Sequence, residues 1–296
     1  MKNILIIGAN GFTGQQMLTD FSSTHIYNII GSSLNNNKYS SSKYVFFNAD
    51  IRDKKQVESL FQSSTPDIVI NTSALSVPDY CESHHEEAWS TNVTAVENLA
   101  EYCEKYQSKL IHLSTDFVFD GNTDKLYTEK DSPNPINYYG ITKWESEKKV
   151  ESICSSYAIV RVVVVYGKSL PGQHGNIVQL VVNKLRAKEQ LYVVSDQFRT
   201  ATFVNDISQG IERLFFHPEN GIYHICGSEC LSISEIAYRV ADYLHLDKSL
   251  ICPITTEQMH EATPRPRFSG LNIDKARNEL KYTPHSLEEA LEVLYH

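Results

Sequence analysis

A short β-branched run at residues 3–7 ends in glycine, and two more glycines follow at three-residue spacing, in Gly8-Ala9-Asn10-Gly11-Phe12-Thr13-Gly14. Behind this turn, residues 12–21 carry helical periodicity. A chain that leaves a strand, turns on glycine and enters a helix at once aims backbone N–H groups and a helix N-terminus at a single point. A pyrophosphate fits there with no Cβ in the way. Gly8, Asn10, Gly11, Phe12 and Gly14 are therefore expected to hold a dinucleotide. Three glycines also make ordinary tight turns, but their place directly after the first strand argues for the cofactor. The spacing G-x-x-G-x-x-G, in place of G-x-G-x-x-G, points away from ordinary dehydrogenases.

The alternation continues. Strands are expected near residues 26–30, 44–47, 67–71, 109–114 and 157–165, helices near 85–106 and 139–151, and a polar loop from Ser32 to Lys43. This rhythm predicts an α/β fold, a Rossmann-type doubly wound parallel sheet with helices on both faces. After Tyr166-Gly167 the rhythm loosens. Helices are expected near 177–188, 205–216, 232–244 and 286–294, the third opening on Ser232 with Glu235 three residues later, a capping-box pattern. Residues 1–166 plus about 196–226 are expected to form the dinucleotide-binding domain, and 167–195 plus 227–296 a smaller C-terminal α/β substrate lobe. A chain of 296 residues, 41% of them hydrophobic, can bury cores of that size.

Charge and composition exclude several partners. The formal net charge is −9 and no local basic patch interrupts it, so a nucleic-acid partner is not expected. The apolar run Ala158–Tyr166 carries Arg161 and has the length of a strand, and no other stretch suits a membrane. The opening residues imitate a short signal peptide, but Gly8 and Asn10 interrupt it and no small-residue cleavage site follows, which predicts a cytoplasmic protein. Cysteines 81, 103, 154, 226, 230 and 252 are scattered, with no Cys-x-x-Cys pair. Reduced thiols and no metal site are the expectation.

Two further patterns carry chemistry. An acid about 20 residues beyond the glycine turn would bind adenosine ribose hydroxyls and favour NAD. The second strand instead ends in Gly31-Ser32-Ser33-Leu34. Ser32, with Ser33, Lys38 or Lys43, can accommodate a 2′-phosphate, or the loop is merely solvated. NADPH is expected, with NADH the alternative. Asp50 and Ile51 stand where a third-strand exit reaches the adenine edge, unless Asp50 simply makes a turn. Tyr139 and Lys143 are four residues apart on an expected helix and share a face. A phenol with an ordinary pKa of about 10 needs a neighbouring positive charge to ionise near neutrality. With an ammonium and a pyridinium beside it, Tyr139 becomes a competent acid–base group. A surface Tyr and Lys on one helix would look the same; the glycine turn and the string Ser114-Thr115-Asp116-Phe117-Val118-Phe119-Asp120-Gly121 separate the two readings.

On Gly8–Gly14, Ile70-Asn71-Thr72-Ser73-Ala74, Ser114–Gly121, Asn137–Lys143, Asp196-Gln197 and Arg265-Pro266-Arg267-Phe268-Ser269-Gly270-Leu271, the chain resembles the extended short-chain dehydrogenases/reductases, and among them the dTDP-4-dehydrorhamnose reductases. The resemblance spans essentially the whole length. It implies that Thr115 hydrogen-bonds the substrate carbonyl, Tyr139 protonates it and Lys143 holds the nicotinamide ribose. Asn71, Ser73 and Ala74 would line the cofactor groove. Asn92 would link strands and order water near the lysine, or be a helix-interior polar residue with no task. Asp116 would sit near the sugar, with Asp196 and Gln197 also on the substrate side. Arg199, Arg265 and Arg267 are candidates for the diphosphate, since a guanidinium pairs bidentately with such oxygens.

The implied reaction is NAD(P)H-dependent reduction of the 4-keto group of a nucleotide-activated deoxysugar, with a homodimer as the possible assembly. Related dehydratases place a Glu where this chain has Phe117, which disfavours elimination. In Arg161-Val162-Val163-Val164-Val165-Tyr166, a Val stands where the reductases commonly carry a sugar-contacting Trp, and Phe198-Arg199-Thr200 follows Asp196-Gln197 where they carry a small residue, Pro and Thr. The sugar pocket is thus expected to differ, and another sugar-nucleotide reductase or epimerase stays open. The chain also resembles the regulatory beta subunit of methionine adenosyltransferase, a catalytically silent dinucleotide binder and the alternative reading.

Overall fold

The first strand, β1 (Asn3–Ile7), sends Ile4 and Ile6 into one hydrophobic cluster and Leu5 and Ile7 into another, the alternation of a strand buried on both faces. The computed structural model describes residues 1–39, 41–170, 173 and 175–296. After β1 come α1 (Phe12–Thr24), β2 (Asn28–Ser33), β3 (Val45–Asn48), α2 (Lys54–Ser64), β4 (Ile68–Asn71), α3 (Pro78–Ser83), α4 (His85–Trp89), α5 (Ala95–Tyr106), β5 (Lys109–Thr115), α6 (Tyr138–Ile153) and β6 (Tyr157–Val162). Then follow β7 (Val165–Tyr166), α7 (Ile177–Arg186), β8 (Leu191–Val194), β9 (Phe198–Arg199), β10 (Thr202–Phe203), α8 (Val204–Leu214) and β11 (Gly221–His224). The chain ends through β12 (Leu231–Ser232), α9 (Ile233–Tyr243), β13 (Ile251–Ile254), α10 (Thr256–Met259), α11 (Asp274–Leu280) and α12 (Leu287–Tyr295).

Seven strands form one parallel sheet in the order β11-β6-β5-β4-β1-β2-β3. This is the Rossmann-type arrangement expected from the alternation. The order reverses between β1 and β4, and in such sheets ligands bind outside the carboxyl ends of the strands at that switch. Gly8 and Asn71 stand there. Among the described residues no helix is long and apolar enough to cross a membrane, and the six cysteines are free thiols.

Three elements differ from the sequence expectation. β2 starts at Asn28, opposite Asn3, and runs on to Ser33. Ser32 is drawn into the sheet because its carbonyl accepts the N–H groups of Gly8 and Ala9 at 2.9 and 3.0 Å. The polar loop is shorter as a result, and Ser40 within it lies outside the described residues. The helix expected over 85–106 is interrupted by one π-turn, Ser90–Thr94, which turns the Asn92 amide out toward Leu75. The strand expected to reach Val165 stops at Val162, because Val164 adopts a left-handed φ of 35°. Thr202 holds the break: its hydroxyl accepts from Val163 N and its amide donates to Val163 O. Val165 and Tyr166 then pair with Thr202 and Phe203.

Residues 196–226 divide between the two cores. β9 pairs antiparallel with β12, whereas β11 edges the large sheet beside β6 and α8 buries Ile207 and Ile211 in the cluster that holds Met17 of α1. A separate core gathers Val178, Val181 and Leu185 of α7, Leu191 of β8, Val240 of α9 and Leu291 of α12.

One buried pair joins sheet to helix. Arg161 of β6 donates to both carboxylate oxygens of Glu147 on α6, at 2.9 and 2.7 Å, and both side chains are at most 2% exposed. Removing one member of such a pair strands a charge out of water. Glu147→Gln is expected to destabilise the protein by about 3–5 kcal/mol, read as a lowered denaturant midpoint at unchanged m-value.

Candidate functional site

The glycine turn is built by close approach. Gly8 has φ 79°, and a Cβ there would lie 2.7 Å from Thr72 Oγ1. A Cβ on Gly14 would run into the Gly8 carbonyl. α1 then has Gly11 at its N-cap, with no side-chain cap and no acid in its first turn, whereas α2, α6, α7 and α9 are each capped by a side chain. Its free N–H groups are the donor set an anion needs, so these residues fit a dinucleotide pyrophosphate.

The neighbouring candidates take varied roles. Asn10 is committed to the loop after β2: its amide donates to Asn35 O and Asn36 O at 3.2 and 3.0 Å, and its Oδ1 accepts from Lys38 N. Ser32 is fully buried and its hydroxyl has no partner among the described residues. It shapes the turn through its carbonyl and presents no hydroxyl to a 2′-phosphate, contrary to expectation; Ser33, Lys38 and Lys43 are the less buried groups of that loop. The Phe12 ring reaches toward Gly167 at the exit of β7. Asp50 is gripped bidentately by Arg52 at 2.9 and 2.7 Å, which holds its carboxyl below the usual range. Ile51 is buried in the core beside it.

At the end of β4, Asn71 Oδ1 accepts from both the amide and the hydroxyl of Ser73, at 3.1 and 2.6 Å. Ala74 follows, partly exposed. Asn92 accepts from Leu75 N at 2.8 Å and donates to Leu75 O and Thr142 Oγ1 at 3.0 Å each. It fastens the β4 loop to α6, a task that only the π-turn exposes.

Tyr139 and Lys143 both lie on α6, capped by Asn137, whose side chain accepts from Gly140 N at 2.8 Å. Gly140 is the tightest contact in the site: a Cβ there would overlap the Phe117 carbonyl. The helix therefore rests on the turn that follows β5, and the Thr115 hydroxyl comes close enough to the Tyr139 phenol to favour its ionised form. Burial outweighs that effect and raises the phenol above its ordinary value, so it keeps its proton at neutral pH. Lys143 lies one turn further along α6. Its amine, 2% exposed, donates to Leu113 O at 2.6 Å and lies 3.2 Å from His112 Nε2. Burial lowers it from 10.5 to about 8, with Glu147 acting in the opposite direction.

The candidates on the substrate side divide. Asp116, 2% exposed, accepts from Thr115 Oγ1 at 3.1 Å and from the Ser269 hydroxyl, and pairs with Arg199 at 3.6 Å. Arg199 is itself 2% exposed, and its amino groups go to Phe198 O, Arg267 O, Pro266 O and Gln197 Oε1. That guanidinium pins the segment after Arg265 to the end of β5; it is not free to fork a diphosphate as expected. Asp196 is tied to Thr256 and Gln197 to Glu261. Arg267 is exposed on the surface.

A cavity of about 540 Å³ opens beside this cluster, lined by Phe117, Val164, Leu180, Tyr192, Gln197 and Arg265 among others. Phe117, in the cavity wall, meets the Tyr139 ring edge-on at 5.9 Å. Arg265 is its accessible cation, a quarter exposed and spanning from Glu261 at 2.8 Å to Asp79 at 3.3 Å. The sequence reading missed His112, Ser146, Glu147, Glu261 and the placement of Val164. Only Arg161, a charge inside an apolar strand, signalled a buried acid partner.

The sign of the Lys143 shift sets a stability test. Because its folded-state pKa lies below the unfolded value, the native state binds fewer protons between about pH 8 and 10.5. Stability therefore rises with pH across that window, and the cost of burying the ammonium is complete below it. That cost is on the order of 3 kcal/mol, offset in part by the bond to Leu113 O. Lys143→Met is expected to unfold no earlier than the parent at pH 7 in thermal denaturation, with its advantage shrinking as pH rises through the window.

Comparison with known proteins places this geometry. A family profile described as the RmlD substrate binding domain matches residues 1–296. The spore coat polysaccharide biosynthesis protein SpsK of Bacillus subtilis is 32% identical over 82% of this chain and 83% of its own. The methionine adenosyltransferase 2 subunit beta of Xenopus tropicalis is 33% identical over 93% of this chain and 81% of its own. The crystal structure of dTDP-4-dehydrorhamnose reductase from Bacillus anthracis in complex with NADP superposes with a TM-score of 0.86 at 28% identity, covering 100% of this chain and 99% of that one. With the profile matched from end to end and relatives above 30% identity over most of its length, the chain belongs to the RmlD substrate binding domain family.

Proposed function

We propose that this chain is an NADPH-dependent reductase of the 4-keto group of a nucleotide-activated deoxysugar, of the dTDP-4-dehydrorhamnose to dTDP-rhamnose type. The observation that carries the reading is the seating of α6 on the turn after β5, where Gly140 meets the Phe117 carbonyl and the helix bearing Tyr139 and Lys143 lies against the end of the strand that bears Thr115. The Bacillus anthracis neighbour with its NADP supports the choice of cofactor, as do the uncapped N-terminus of α1 and the absence of an acid after β2.

In this reading residues 1–166 and about 196–226 hold the dinucleotide, and 167–195 with 227–296 hold the sugar nucleotide. Thr115 turns its hydroxyl from Asp116 to the substrate carbonyl oxygen and polarises it. Tyr139, kept neutral by burial, gives its proton to that oxygen. The dinucleotide supplies the hydride to the carbonyl carbon when bound. Lys143 places its amine against the nicotinamide ribose. Arg265 exchanges Glu261 and Asp79 for the diphosphate, and the exposed faces of Leu180 and Tyr192 offer a platform for the base. Placement of the ketone between a fixed donor and a fixed proton accounts for much of the expected acceleration.

The regulatory-subunit reading keeps one supporting observation, the 33% identity to the Xenopus protein. Consumption of NADPH with dTDP-4-dehydrorhamnose separates the two, since a silent dinucleotide binder would oxidise none. Tyr139→Phe is expected to lower turnover by about 10²–10⁴-fold while NADPH binding, followed by fluorescence, stays unchanged. Equal turnover in that variant would remove Tyr139 from the reaction.

A further inference from the structure

Behind Lys143 lies a buried imidazole that the reaction above does not use. His112 is fully buried on β5, directly opposite Asn71 of β4 in the sheet register. Its surroundings fix where its proton sits. The Ser73 backbone N–H must donate, and it donates to Asn71 Oδ1 at 3.1 Å, as the Ser73 hydroxyl does at 2.6 Å. The other end of Asn71, its NH₂, therefore faces His112 Nδ1 at 3.1 Å. An NH₂ group has no lone pair to offer, so Nδ1 accepts and the neutral ring carries its hydrogen on Nε2.

That hydrogen faces Ser146 Oγ at 2.9 Å. The Ser146 proton is already given to Lys143 O at 2.7 Å, so its oxygen is the acceptor. Lys143 Nζ, 3.2 Å from Nε2, consequently meets an N–H and finds no acceptor there. Among the described residues, its strong acceptor is Leu113 O at 2.6 Å. The opposite tautomer would offer the amine a lone pair and draw it from Leu113 O toward the ring. Protonating the ring would break the Asn71 bond beside another cation, and burial together with Lys143 holds His112 well below its ordinary value.

We propose that His112 is a positioning residue: a neutral imidazole locked in its Nε2–H form by Ser73 and Asn71, which couples the cofactor groove to α6 through Ser146 and leaves the Lys143 amine to Leu113 O near the carboxyl end of β5. The inference rests on the reductase reading for the ligand that Lys143 meets, but not for the tautomer.

The test has two arms. Nitrogen NMR of ¹⁵N-histidine-labelled protein should show His112 with a protonated Nε2 and a bare Nδ1, unchanged between about pH 5 and 9. A proton on Nδ1, or titration within that range, would overturn the proposal whether or not the protein reduces any sugar. In the second arm, His112→Phe keeps a ring and removes both nitrogens, leaving the Asn71 NH₂ unpaired. It should weaken NADPH binding about tenfold and leave the KM for the nucleotide sugar unchanged, a split that a general loss of packing would not produce. His112→Asn keeps an acceptor for Asn71 and should bind NADPH within about threefold of the parent; it also serves if the Phe variant fails to fold. Parental NADPH affinity in His112→Phe, or equal weakening by Asn and Phe, would sink the idea. If NADPH binds as described but no sugar is reduced, the reductase reading falls and the positioning role stands.

Discussion

The position of α6 on the carboxyl end of β5 governs everything else in this molecule. Three independent contacts set it. The missing side chain of Gly140 lets the helix touch the Phe117 carbonyl, the Lys143 amine is drawn to Leu113 O, and Glu147 is locked to Arg161 on the neighbouring strand. They act at successive turns of one helix, so neither a rotation nor a slide of α6 can satisfy all three at once. Its polar face is consequently buried against the sheet, which explains why α6 shows almost no segregation of apolar residues while Thr142, Lys143, Ser146 and Glu147 are hidden. A helix that buries such groups is stable only where each finds a partner, and the partners come from β5, β6 and the β4 loop.

What could be read from the sequence is what local periodicity carries. The short apolar run of β1, the glycines after it, the capping box at Ser232 and the four-residue spacing of Tyr139 and Lys143 are short-range patterns, and the folded chain keeps them. The unread features depend on residues distant in sequence. Arg199 looks like a surface cation until the carbonyls of Pro266 and Arg267 are brought around it. His112 is indistinguishable from any polar residue in a strand until Asn71 and Ser146 flank it. A run of four valines suggests one continuous strand. The left-handed turn at Val164 is imposed by Thr202, about forty residues further on.

The second core contributes a wall of another kind. Its strands pair only two by two, too little sheet to be stable by hydrogen bonding alone, and its coherence comes from the apolar faces of α7, α9 and α12. The cavity beside it is lined by residues of α7 and β8 together with Phe117. There Arg265 is held between two acids, Glu261 on one side and Asp79 on the other. Such partly exposed pairs are weak and exchangeable, unlike the buried Arg199–Asp116 pair. One arginine is thus structural and the other available, a distinction of burial and not of residue type.

The same distinction orders the ionisable groups around the proposed reaction centre. Burial pushes the Tyr139 phenol up and the Lys143 ammonium down, so each is biased toward its neutral form before any ligand arrives. A carbonyl being reduced to an alcohol gathers negative charge on oxygen and needs a proton at that moment. A phenol that holds its proton firmly against solvent will still release it to an alkoxide, which is the stronger base. A lysine with a pKa of about 8 stays largely charged at neutrality while being sensitive to a charge placed beside it. Water would level both effects. The low-dielectric seat beneath α6 preserves them, and the contacts that hold the helix there are therefore also those that tune its acid and its base.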